Sequence, residues 1–153
     1  MKIYLDNCCY NRPFDDHTHR RVARESDAVL AVLARAKDGL DEIIGSAAIE
    51  FEISRCPRRE RRLWLQNLYE VSKTRLPFSS TVYQRANELM SRSHLRLLDS
   101  MHLAYAESAK ANYLLTTDDQ LAREGVKLSM TVKVANPLTY IAEVTNANDG
   151  GNP

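Results

Sequence analysis

The chain holds six acids whose places along it could bring them to one chemical site: Asp6, Glu50, Glu52, Asp99, Asp118 and Asp119. Asp6 follows the apolar run at residues 3–5, and Asp118 follows the apolar run at 113–116. Asp99 opens an amphipathic stretch, and the two glutamates come soon after the apolar segment 42–45. Carboxylates gathered without histidine suit a hard divalent cation, Mg²⁺ or Mn²⁺, which takes oxygen ligands and can activate water. Each acid alone reads equally well as a helix N-cap or as a partner of a helix dipole. Only their joint pattern points to a metal site.

The elements around the acids decide whether they can meet. Residues 3–5, 42–45, 113–116 and 132–134 read as strands, and 76–78 as a short extended piece. Apolar residues Val22, Val29, Leu30 and Leu33 give residues 20–37 a helical stripe, which Gly39 can close in a left-handed conformation. Ser46 can cap a helix at 47–55, Pro57 suits a first helical position, and Trp64, Leu65 and Leu68 stripe the helix that follows. Ser79 and Ser80 can cap a helix running to Ser91. A further helix starts at Leu98–Asp99, a short one passes through Leu121 and Ala122 and closes at Gly125, and a last one starts at Pro137. The segment NCCYNRPFDD after Asp6 reads as a loop.

Strands alternating with helices predict an α/β fold: a short, mostly parallel sheet covered by helices on both faces, a three-layer αβα sandwich. In such a sheet ligands gather at the carboxyl ends of the strands, where these acids stand. The length predicts a single domain over residues 1–144, with a polar, Gly-rich tail at 145–153. No apolar run approaches the roughly 20 residues of a membrane span, so a cytoplasmic location with no membrane partner is expected. Three cysteines, two of them adjacent, favour reduced thiols over a disulfide or a zinc site.

Three stretches together resemble the PIN-domain family, including the toxin ribonucleases of prokaryotic toxin–antitoxin pairs. IYLDNCCYNRPFDD resembles that family's first strand and acid, LDSMHLAYA its third acidic motif, and YLLTTDDQL its closing strand and Thr-x-Asp motif. The resemblance spans nearly the whole chain. It implies a PIN-like fold and a ribonuclease that hydrolyses RNA phosphodiester bonds, with metal ligands at Asp6, Asp99 and Asp118, Asp119 as an auxiliary, and a glutamate after the second strand. Glu52 fits that position better than Glu50 because its Glu-Ile-Ser setting matches the family's glutamate followed by an apolar residue. Thr116 would hold a carboxylate by a hydrogen bond. Asn7 departs from the small hydroxyl residue often found beside the first acid, though its amide can orient water or substrate. An antitoxin partner and a homodimer are implied by resemblance alone.

The net charge of +1 gives no overall attraction to nucleic acid, but residues 54–75 carry seven Lys/Arg against two Glu. Arg58, Arg59, Arg61 and Arg62, with Arg12, Arg20 and Arg21 near the first acid, are the RNA-binding candidates. The same arginines read equally as a solvated helix face. Tyr10 and Phe14 are candidates for stacking on bases, or for packing. Two other functions compete: a PIN-like module that binds RNA or protein without cutting, and a metal-independent ribonuclease using Arg96 and His102.

Overall fold

The computed structural model describes residues 1–150. Five strands form one sheet: β1 (Lys2–Leu5), β2 (Glu42–Ser46), β3 (Thr74–Leu76), β4 (Tyr113–Leu115) and β5 (Lys133–Ala135). Their order is β3-β2-β1-β4-β5, and every neighbouring pair is parallel. Ile3, Tyr4 and Leu5 of β1, Ile43 and Ile44 of β2, and Leu114 and Leu115 of β4 are all buried, as expected of inner strands covered on both faces.

Eight helices flank the sheet: α1 (Asn7–Asn11), α2 (Arg20–Lys37), α3 (Ala47–Ser54), α4 (Arg59–Tyr69), α5 (Ser80–Ser91), α6 (Leu97–Ser108), α7 (Asp119–Lys127) and α8 (Pro137–Asp149), with a 3-10 turn at Arg12–Phe14. The chain steps outward from β1 to β2 and β3, then returns across the sheet to β4 and β5. Right-handed crossovers put the helices of these two passages on opposite faces. α2 packs on α8, and α5 on α6. β1 stands where the strand order reverses, so the crevice beyond its carboxyl end and that of β4 is the natural place for a site.

Several local expectations need correction. NCCYNRPFDD is not a loop: Asp6 accepts the Asn7 N–H and caps α1, and burial of Cys9 and Tyr10 holds that short helix on the sheet. Pro57 lies ahead of α4, whose N-cap is Arg58. Gly125 sits inside α7 rather than closing it. Its role is contact, since a Cβ there would lie 2.8 Å from Val134 Cγ2 on β5. The C-terminal segment expected to be frayed from residue 145 is helical through Asp149, while residues 151–153 lie outside the described residues. Gly39 does close α2, with φ +77°. Among the described residues no helix is long and apolar enough to cross a membrane.

Candidate metal centre

The backbone N–H of Asp6 donates to the Leu115 carbonyl (3.0 Å), which fixes this acid at the seam between β1 and β4. Its carboxylate is almost fully enclosed by donors. Oδ1 accepts the Asn7 N–H (2.7 Å), and Oδ2 accepts the Thr116 hydroxyl (2.9 Å) and the Cys8 thiol (3.2 Å). Thr116 Oγ1 in turn accepts the Asp118 N–H (3.0 Å), and Cys8 Sγ accepts the Thr117 N–H (3.3 Å). The turn after β4 and the start of α1 are thereby tied to the same acid.

Glu52 and Asp99 reach the crevice from the helices. Ser46 caps α3 by accepting the Ile49 N–H, and the last turns of that helix carry Glu52 toward Asn7, whose Nδ2 donates to Glu52 Oε2 (3.1 Å). The other oxygen of Glu52 meets His102 Nε2 in a very short contact. His102 is fully buried on α6, one turn after Asp99, with Nδ1 2.7 Å from the Tyr4 hydroxyl. That hydroxyl is 2.6 Å from Ser46 Oγ. Burial opposes protonation of His102, but the Glu52 hydrogen bond and the charges of Asp6, Glu52 and Asp99 outweigh it and move its pKa upward. His102 Nε2 lies 3.6 Å from Asp6 Oδ1.

Asp6, Glu52, Asp99 and Asp118 line one open recess of about 350 Å³, with Asn7, Cys8, Asn11, Asp15 and Arg61 completing its wall. Asp118 also caps α7, its Oδ1 accepting the N–H groups of Gln120 (2.9 Å) and Leu121 (3.3 Å). The Asp99 carboxyl is pushed up to about 6, first by burial and then by Asp6, with Asp118 and Glu52 adding to the shift and His102 opposing it. A cation held among these oxygens would relieve that excess of negative charge. The buried Asn7 Oδ1 has no hydrogen-bond partner among the described residues. The residues therefore fit a hard divalent cation. A larger recess of about 600 Å³, between α2 and α4, contains none of these groups.

Not every candidate from the sequence reaches the recess. Asp119 points away and pairs with Arg21 (2.7 Å). Glu50 lines a different cleft, 4.0 Å from Arg75, which leaves Glu52 as the glutamate facing the acids. Arg12 is tied to Glu25 and Asp15, and Arg62 donates to the Cys56 carbonyl (2.8 Å). Arg61 clamps Asn11, the Phe14 carbonyl and Asp15, so it is a strut of the crevice wall. Arg20, Arg58 and Arg59 are exposed. Tyr10 is wholly buried and hydrogen-bonded to Ser72, so it cannot stack on a base, and Phe14 stacks on Trp64 with ring centroids 5.1 Å apart. Arg96 precedes α6 as its N-cap residue. Both His102 nitrogens are engaged and the ring has no exposure, which removes it as a free acid or base toward a 2′-hydroxyl. The contribution of Cys8 was missed. Its signal was its position two residues after Asp6, where a helical start turns the side chain back on the acid.

Comparison with known proteins bears on the fold and the family. The fold is similar to a chain in the crystal structure of VapBC2 from Rickettsia felis bound to a DNA fragment from their promoter, with a TM-score of 0.58 and 15% identity over 89% of this chain and 98% of that one. No curated protein matches the sequence. The PIN domain model matches residues 3–126, a span that includes β1, the acids and most of α7. The chain belongs to the PIN-domain family.

Proposed function

We propose that the protein is a divalent-metal-dependent endoribonuclease, in which Asp6, Glu52, Asp99 and Asp118 hold Mg²⁺ or Mn²⁺. The observation that carries this reading is the convergence of these four carboxylates in one recess where the strand order reverses. When bound, the metal supplies Lewis acidity that activates water and neutralises charge on the phosphodiester. The chain's own residues provide the frame. Thr116 and Cys8 fix Oδ2 of Asp6, Asn7 steadies Glu52, and His102 braces Glu52 from beneath. The exposed Arg58, in the recess beside this acidic mouth, provides charge for RNA phosphates.

We extend the proposal to a toxin role with an antitoxin as protein partner, on the family membership and the fold likeness to a chain of VapBC2; a homodimer and a cytoplasmic location are proposed on the family resemblance alone. The deciding experiment is cleavage of labelled single-stranded RNA with Mg²⁺ or Mn²⁺ by the wild type, by Asp99→Asn and in EDTA. Metal-dependent cutting that Asp99→Asn abolishes is the expected result. A wild type that binds several RNAs and cuts none of them would replace this reading with that of a binding module.

A further inference from the structure

A second recess adjoins the acidic one, separated from it only by a shared wall. Its lining includes Asn7, Asn11, Glu52 and Arg61, four residues that also line the acidic recess. Beyond that wall the lining changes character to Arg55, Cys56, Pro57, Arg58 and Leu65. The two recesses thus lie side by side across one wall, the first rich in carboxylates and the second lined by cations and apolar surface.

The arginines of this pocket divide into two kinds. Arg61 is consumed by Asn11, Phe14 and Asp15. Arg55 and Arg58 are exposed, and among the described residues neither guanidinium makes an ion pair or hydrogen bond. Arg55 only leans over the Phe51 ring, 5.7 Å from its centroid. The turn that carries them is held in place, because Cys56 N–H donates to the Ile53 carbonyl (3.1 Å) and Arg62 donates to the Cys56 carbonyl (2.8 Å). Two unpaired guanidiniums on a fixed turn are available donors, and a guanidinium fork matches a phosphate.

Resting on the nuclease reading above, we propose that this α3–α4 recess is the subsite for the RNA phosphate next to the scissile one, held by Arg55 and Arg58, with the neighbouring sugar or base against the exposed Pro57. The strand leaves the metal centre over the α3–α4 turn. Arg12, Arg61 and Arg62, already bonded within the protein, take no part in holding RNA.

The test separates binding from cutting. A labelled oligouridylate is titrated by fluorescence anisotropy, in Mg²⁺ at several salt concentrations, into Asp99→Asn protein, with and without Arg55→Ala/Arg58→Ala. Each phosphate contact on a single strand contributes about −0.7 to the slope of log K against log salt, so losing the one phosphate that both arginines hold should flatten that slope by about 0.7 and weaken binding about fivefold at moderate salt. Lys2→Gln/Lys110→Asn, which removes two charges at the opposite end of the sheet, should leave the slope unchanged. An unaltered slope in the arginine variant, an equal loss in the lysine control, or no RNA binding at all overturns the subsite. Preference for an acidic peptide over RNA at the same arginines overturns it too. The cleavage assay on unmodified Asp99 protein reports independently on the nuclease reading.

Discussion

The Tyr4 hydroxyl stands 2.7 Å from His102 Nδ1, so a residue in the middle of the central strand sets the ring that faces Glu52. Tyr4→Phe would leave His102 Nδ1 and Ser46 Oγ without this buried partner. The expected cost is about 1–3 kcal/mol of stability, measured by urea denaturation. Groups that orient a metal's ligands typically change affinity by 10–100-fold, so Mn²⁺ binding by calorimetric titration should weaken by about tenfold. Lost stability with unchanged Mn²⁺ affinity would confine Tyr4 to a folding role.

Asp99→Asn should have opposite effects with and without metal. In metal-free protein it removes a carboxylate that burial and three neighbouring acids penalise. Discounted for solvent screening, the gain is about 1 kcal/mol. For a chain of this size that is a melting temperature higher by about 3 °C. Adding Mn²⁺ should raise the melting point of the wild type and leave the variant nearly unmoved. A variant that melts lower than the wild type in EDTA would show that the acids do not repel one another.

Asp41 supplies the pH dependence. Its side chain is completely buried, with Oδ2 2.7 Å from both Arg35 Nε and the Tyr140 hydroxyl and Oδ1 3.1 Å from the N-terminal amino group. Burial alone would raise its pKa, but these partners overcome burial and hold it below the usual carboxylate range. A depressed native pKa adds stability above the unfolded value, near pH 4, and that stability is lost as pH falls further through the native pKa. Asp41→Asn should therefore cost about 2 kcal/mol at pH 7. The two proteins should converge below about pH 3, and parallel acid-unfolding curves would contradict this.

Gly45 lies beneath the Tyr69 hydroxyl, and a Cβ there would be 2.3 Å from that oxygen. Tyr69 cannot easily yield, since it packs edge-on against Tyr10 and beneath the Arg75 guanidinium. Gly45→Ala should destabilise by about 1–3 kcal/mol through overpacking. Tyr69→Phe, which removes the clashing oxygen, should restore part of that loss in the double variant. Equal losses in the single and double variants would place the strain elsewhere.

The long amphipathic α2, the capped α5 and the apolar strands were legible because periodicity reports burial directly. The acids Asp6, Asp99 and Asp118 stood out because each closes a strand or opens a helix, and their meeting in one recess follows from the reversal of strand order at β1. What stayed hidden depends on partners distant in the chain. Nothing near Arg61 announces that Asp15 and Asn11 consume its guanidinium, and Asp119 looks as available as Asp118 until Arg21 is seen to hold it. Helix α1 was invisible for a similar reason. Its residues favour turns, and it exists because Cys9 and Tyr10 find a buried seat on the sheet.

The strand order also governs when the acidic site can assemble. The carboxylate of Asp6 is held by Thr116, which lies more than a hundred residues later in the chain. β1 cannot be sandwiched until β4 arrives to pair with it, and Asp118 follows β4. Such distant pairing forms late in folding. A chain made only as far as β3 therefore lacks both the partner of β1 and Asp118, and the complete carboxylate set forms only after β4 has been made.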